Sequence, residues 1–130
     1  MRRRGSQAIE FALALPMLVV LSAGAVDVGQ YLYTSERLAA VASDGARAGA
    51  LADIAEGEDA VYSATSVAQR AWDSTGLPGT LKIDAFVQGA APDQEIVVDA
   101  TVAADPVFGF LTLHPDAMTS RRIVQISDQD

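Results

Sequence analysis

Residues 8–28, AIEFALALPMLVVLSAGAVDV, are a long apolar stretch that decides the fold of this chain. They carry only two charges, Glu10 and Asp27, one near each end, and the sixteen residues from Phe11 to Val26 carry none. A helix that rises about 1.5 Å per residue needs roughly 20 residues to cross about 30 Å of hydrocarbon. The stretch therefore predicts one membrane-spanning helix, with Asp27 at its far interface. Pro16 is expected to kink this helix, which membrane helices tolerate better than soluble ones.

The charges on the two sides of this stretch are distributed unevenly. Arg2, Arg3 and Arg4 precede it, whereas the chain beyond Gly5 carries six basic and seventeen acidic residues, a net charge of −11. Because positively charged flanks of a span stay in the cytoplasm, the three arginines predict a cytoplasmic N-terminus and an exported, acidic body. The net charge of −8 for the whole chain argues against nucleic-acid binding, which needs clustered Lys and Arg.

The composition also excludes several kinds of chemical site. The chain has 130 residues, no cysteine and a single histidine, His114. A disulfide framework, a thiolate metal site and a cysteine nucleophile are therefore excluded, as is any site that needs two histidines from one chain. Asp93, Glu95, Asp99 and Asp105 lack the spacing of a calcium loop. We expect no enzymatic activity, no cofactor and no metal, and we interpret His114 as a solvated loop residue.

A secretory signal peptide is a second interpretation of the N-terminal residues. Ala23-Gly24-Ala25 supplies the small residues of a cleavage site after Ala25, which would leave a soluble exported domain. Glu10 argues against it, because an acid there interrupts the step from the basic to the apolar region. Apolar and small residues also continue at helical spacing beyond Ala25. They are Val28, Tyr31, Leu32, Ser35, Leu38, Ala42, Gly45 and Gly49.

Glu10 is the most informative residue in the apolar stretch. A carboxylate costs about 2.5–3.5 kcal/mol at the centre of a bilayer and less near its surface, so such a residue normally has a partner. Gly5 lies five residues before Glu10, and Phe11 follows it directly. This arrangement resembles the type IV prepilin cleavage motif, in which a membrane-embedded aspartyl peptidase cuts after the glycine on the cytoplasmic face. The resemblance implies a cut between Gly5 and Ser6.

The same resemblance implies a role for Glu10 after the cut. By analogy with pilins, Glu10 of one subunit would pair with the new amine on Ser6 of its neighbour and so set the register of stacked helices. Such a pair favours one register because leaving either charge alone in low dielectric is costly. The structural alternative is a glutamate at the membrane surface that reaches back toward the headgroups.

Further features, in the same order along the chain, narrow the family. After the Gly-x-x-x-x-Glu-Phe start come an Ala-Leu-x-x-Pro run ending at Pro16, Asp27 with Gly29, Tyr31 with Tyr33, and Asp44-Gly45-Ala46-Arg47. Together they resemble the N-terminal domain of TadE-like proteins, the minor pseudopilins of tight-adherence (Flp) pilus systems. The resemblance covers about 45 of the 130 residues.

This resemblance implies a function and a set of partners. The function is that of a minor pseudopilin in the inner membrane that takes part in initiating or tipping a Flp pilus. The partners are the prepilin peptidase, the Flp major pilin, a TadF-like minor pseudopilin and the inner-membrane assembly platform. The alternative is a single-span or exported protein with an unrelated binding role.

The remaining sequence predicts two helices. One helix is predicted from Ser6 to about Ala52, with Gly45 and Gly49 packed closely within an extracytoplasmic head. The second is predicted from about Glu58 to Ser74, because acids occupy its first turn and Gly and Pro follow its end. Trp72 is expected to anchor the core.

Beyond the second helix the pattern changes to a period of two. It predicts strands over Leu81–Val87 and Glu95–Ala103, paired as an antiparallel hairpin, and a third strand over Ser120–Ile126. Phe108 and Phe110 lie in the loop before the third strand, where burial under the sheet is the expected outcome and a contact with another subunit is the alternative.

The predicted fold is therefore α+β, with a long N-terminal helix that leaves the membrane and forms one wall of a small pilin-like head. The predicted division of the chain is a basic leader at residues 1–5, the membrane half of the helix at 6–28, its extracytoplasmic half at 29–52, and the head at 53–130.

Overall fold

The computed structural model describes residues 3–52, 59–90, 93–103, 107–109 and 117–126, with side chains from Gln7 onward. It confirms the predicted α+β class, with two helices and one three-stranded antiparallel sheet. The elements are α1 (Arg3–Ala50), α2 (Ala60–Asp73), β1 (Leu81–Gln88), β2 (Glu95–Val102) and β3 (Met118–Gln125).

Helix α1 is a single element of 48 residues that continues through Pro16. At about 1.5 Å per residue it is about 70 Å long. It begins three residues before the predicted Ser6 and ends two residues before the predicted Ala52. Arginine is a good helix former, which explains why the helix includes Arg3 and Arg4.

Helix α2 begins after Asp59, whose carboxylate caps it. Asp59 Oδ1 accepts hydrogen bonds from the backbone N–H groups of Val61 at 2.9 Å and Tyr62 at 3.3 Å. An N-cap carboxylate satisfies donors that have no partner within the helix, so α2 begins at Ala60. The predicted start, Glu58, lies outside the described residues. Trp72 is 3% exposed, and its indole N–H donates to the carbonyl of Gly79 at 3.3 Å. The prediction that Trp72 anchors the core is confirmed.

The sheet has the order β1-β2-β3, with both pairs antiparallel. The predicted hairpin is confirmed, with Leu81 opposite Val102 and Gln88 opposite Glu95. The third strand begins at Met118, two residues earlier than predicted, because Met118 pairs with Val102 and is buried.

The two helices cover one face of the sheet. Helix α1 packs against β2 and β3, while α2 packs against β1 and against α1. The largest fully buried apolar side chains are Leu38, Ile96, Val97, Val98 and Val102. Gly45 and Gly49 are buried where α1 meets α2, so the prediction that they pack within the head is also confirmed.

The other face of the sheet carries a cross-strand ion pair. Asp99 on β2 lies directly opposite Arg121 on β3, and the guanidinium donates two hydrogen bonds of 2.6 Å to the two carboxylate oxygens. These charge-assisted bonds from Arg121 hold the pKa of Asp99 below its ordinary value of 3.8, against the opposing effect of partial burial.

We expect Asp99→Asn to make folding less sensitive to acid. The folded-state pKa of Asp99 is lowered, so the pair stabilises the fold fully above the unfolded pKa of about 3.9, and this contribution is lost as the pH falls through the folded pKa. Chemical denaturation followed by Trp72 fluorescence gives the free energy of unfolding at each pH. Between neutral pH and about pH 3, this free energy should fall further for the parent chain than for the variant.

The matched control is Asp84→Asn, which removes an exposed carboxylate opposite Asp99 on β1. It should retain the full acid sensitivity of the parent chain. Equal losses for the parent chain and Asp99→Asn would contradict the assignment.

Candidate functional site

The predicted cleavage residues lie in the first two turns of α1. Gly5 and Ser6 have helical backbone, as do Arg3 and Arg4, while Arg2 lies outside the described residues. Glycine costs about 1 kcal/mol more than alanine in a helix, so Gly5 lowers the cost of unwinding the first turns of α1 around the Gly5–Ser6 peptide bond. A peptidase that binds extended backbone needs such unwinding.

Glu10 is exposed on α1 and lies four residues after Ser6. Four residues are about one helical turn, or about 6 Å along the helix axis. A positive amine created on the backbone nitrogen of Ser6 would therefore lie about one turn from Glu10. The arrangement suits an ion pair.

An uncovered apolar surface begins on α1 at Gln7. Every residue from Gln7 to Ser22 is exposed, and the large apolar ones are uncovered, with Phe11 68%, Leu13 70% and Leu21 71% exposed. Among the described residues, α1 is the one helix long and apolar enough to cross a membrane, with a mean hydropathy of 2.1 over its most apolar 18 residues. None of that window is buried against the rest of the protein.

The junction between this surface and the head begins at Ala23. Ala23 is 9% exposed and Asp27 only 1%. Asp27 Oδ1 accepts a hydrogen bond from the backbone N–H of Phe108 at 3.0 Å. The expectation that Asp27 marks an aqueous interface missed this role, because the partner is 81 residues away in the sequence.

At this end the buried face of α1 is not its apolar stripe. Val28 and Leu32 are 46% and 54% exposed, whereas Asp27 and Thr34 are buried. The expected continuation of the helix beyond Ala25 is confirmed, since α1 runs to Ala50. The residues facing the head recur at helical spacing even where they are polar. They include Ala23, Asp27, Thr34, Leu38, Val41, Gly45 and Gly49.

The segment 107–109 closes the junction from the side of the head. The Phe108 side chain is 54% exposed, so the expectation that it lies under the sheet is wrong; Phe110 lies outside the described residues. Phe108 and the outer part of the apolar helix surface line a shallow apolar groove. Its walls are Leu18, Val19, Ser22, Ala23, Val26 and Phe108.

Within the described ranges, no three His, Asp or Glu side chains lie close enough to hold a metal ion. Asp93, Glu95 and Asp99 lie at the hairpin and on β2, with Asp99 bound to Arg121, while Asp105 and His114 lie outside the described residues.

Comparison with known proteins finds one similarity, and it covers the helix that carries the candidate cleavage residues and the apolar surface. The family model described as "TadE-like protein" matches residues 5–47, about a third of the chain. No curated protein and no solved structure matches the chain. The match begins at the candidate scissile glycine and ends within the last turn of α1, so it covers the apolar surface and the buried junction. Over residues 5–47, this chain is similar to TadE-like proteins.

Proposed function

We propose that this chain is a minor pseudopilin of a tight-adherence pilus system, and that it takes part in initiating or priming pilus assembly. The observation that carries the proposal is the uncovered apolar surface of the first half of α1. Gly5 and Glu10 lie at its N-terminal end, and the whole surface lies within the residues that match the TadE-like family. Similarity to this family over residues 5–47 supports a place in the tight-adherence pilus system. The precise step in assembly is the proposal.

In this proposal the N-terminal arginines stay in the cytoplasm and the head lies on the other side of the inner membrane. The prepilin peptidase cuts between Gly5 and Ser6, and Glu10 then pairs with the amine of a neighbouring subunit. The apolar surface holds the subunit in the bilayer until the assembly platform moves it, since the 21-residue stretch 8–28 is long enough as a helix to match the hydrocarbon thickness. The Flp major pilin and a TadF-like pseudopilin are the proposed neighbours.

The proposed role is structural and not enzymatic. Three features support this role: the exposed apolar half of α1, the Glu10 carboxylate within it, and the small head. In the proposal, each of them makes contacts between subunits. The alternatives are a single-span protein that is never cut and an exported domain cut after Ala25. The continuity of α1 from Arg3 to Ala50 favours the pseudopilin over the exported domain, because that cut would divide one helix just before the buried Asp27.

The N-terminus of the protein in its native membrane tests the proposal. We expect intact-mass measurement and N-terminal sequencing to find a chain that begins at Ser6. A chain that begins at Val26 would identify a signal peptide and overturn the proposal. A chain that begins at Met1 would overturn it too, since it would leave an uncut anchored protein.

A further inference from the structure

The segment 107–109 returns to α1 at the outer end of the apolar surface. The backbone N–H of Phe108 donates to Asp27 Oδ1 at 3.0 Å, and this carboxylate is 1% exposed. The segment lies between β2 and β3 in the sequence. A segment of the head is therefore hydrogen-bonded to α1 at the position where the apolar surface ends.

The depth of this contact follows from helix geometry. Val19, which lines the groove beside Phe108, is eight residues before Asp27 and therefore about 12 Å further along the helix. The apolar sequence continues to Val28. The Phe108 ring thus lies alongside the outer part of the proposed span, between the levels of Asp27 and Val19. This range includes the depth of about 5–10 Å that amphipathic elements reach at the boundary of headgroups and acyl chains.

The side chains at this depth suit a lipid environment. Val107 is 51% and Phe108 54% exposed, and Phe108 lines one apolar groove with Leu18 and Val19. Val107 adds a second exposed apolar side chain next to Phe108 in the chain. Irregular backbone at membrane depth needs a partner for its N–H groups, because no water is available there. Asp27 supplies that partner for Phe108, which gives a reason for an acid buried at the end of an apolar stretch.

We propose that Asp27 holds the segment 107–109 against the span so that Val107 and Phe108 insert into the outer leaflet of a phospholipid bilayer. The head is thereby fixed against the membrane surface before it enters a pilus. The occupant of the groove is lipid, because its helix wall is continuous with the surface that the span already presents to lipid. The inference rests on the proposed membrane insertion of α1.

Site-directed spin labelling tests the insertion in the full-length chain. The chain has no cysteine, so Val107→Cys, Leu13→Cys and Tyr62→Cys each provide one label position. In phosphatidylcholine–phosphatidylglycerol vesicles, we compare collisions with oxygen, which enriches in acyl chains, and with a water-soluble nickel chelate. Leu13 reports the middle of the span and Tyr62, 73% exposed on α2, reports the aqueous side of the head.

The expected result is a label at position 107 that favours oxygen over nickel, to a degree between those at positions 13 and 62. A label at 107 that behaves like the one at 62 would overturn the inference while leaving the span intact. A label at 107 shielded from both reagents would overturn it in favour of a second copy of the chain. A water-exposed label at position 13 would instead overturn the proposed membrane insertion itself.

Two substitutions at Asp27, each made in the Val107→Cys variant, test whether the hydrogen bond from Phe108 to Asp27 holds the segment 107–109 in place. Asp27→Asn keeps an oxygen acceptor and should leave the label at its membrane depth. Asp27→Leu removes the acceptor and should move the label into water. Trp72 fluorescence shows whether the head remains folded in each variant. A folded Asp27→Leu variant with an unmoved label would overturn the role of Asp27.

Discussion

Gly5→Leu is expected to leave the chain uncut in the membrane and to abolish pili, whereas Glu10→Ala is expected to be cut normally and still to fail in assembly. The Gly5 result has a direct physical reason. Leucine stabilises the helical conformation by close to 1 kcal/mol relative to glycine and adds a branched side chain at the scissile position. A peptidase that draws out extended backbone is opposed by both effects.

The Glu10 result separates assembly from processing. Glu10 is exposed within the apolar surface and lies beyond the scissile bond, so its removal leaves the Gly5–Ser6 peptide unchanged. What it removes is the carboxylate that would partner the Ser6 amine of a neighbouring subunit, and a lone amine in low dielectric is costly. We expect intact mass to show the mature chain and electron microscopy to show few or no pili.

The same helix offers a matched control for the carboxylate. Glu36 is an exposed acid on α1, beyond the apolar surface. Glu36→Ala removes one negative charge, as Glu10→Ala does, and is expected to leave both cleavage and pili intact. Normal pili in the Gly5→Leu and Glu10→Ala variants would exclude the proposed function.

The fold was largely predictable because its strongest signals are local. The long helix follows from apolar content without a breaker other than Pro16, and the strands follow from period-two alternation. The helix boundaries were harder to predict, since they depend on single caps. Asp59 shows this, because its carboxylate decides where α2 begins.

The junction was not predictable, because it depends on contacts between residues that are distant in sequence. Asp27 resembles a residue placed at the membrane surface, and the sequence carries no signal that Phe108 reaches it from 81 residues away. The local signal that was available is spacing. Asp27 lies four residues after Ala23 and eleven before Leu38, in phase with the buried face, although its polarity suggests the opposite.

The candidate cleavage site was fully visible in the sequence for the opposite reason. Gly5, Ser6 and Glu10 lie within six residues, so helix geometry alone brings them to one end of α1. Their proposed function lies in contacts with a peptidase and a second subunit, which the sequence motif implies only by resemblance.

Gly45→Leu is expected to destabilise the head by about 3 kcal/mol or more, enough to remove a large part of the stability of a small domain. A β-carbon at Gly45 would lie 2.9 Å from the backbone oxygen of Ala64 and 2.9 Å from the Ala68 β-carbon. Backbone atoms of α2 cannot move aside as a flexible side chain can, so the two helices must separate. That separation exposes the core that they share with the sheet.

The control is the identical substitution at Gly29, also in α1, where nothing lies within 4 Å of a β-carbon. Gly29→Leu should leave stability unchanged or raise it by up to about 1 kcal/mol, because leucine is the better helix former. Both variants are measured as full chains in detergent by chemical denaturation, with Trp72 as the probe. Since helix propensity favours both substitutions equally, only the contact with α2 distinguishes them. A Gly45→Leu variant as stable as Gly29→Leu would mean that α1 and α2 do not pack through Gly45.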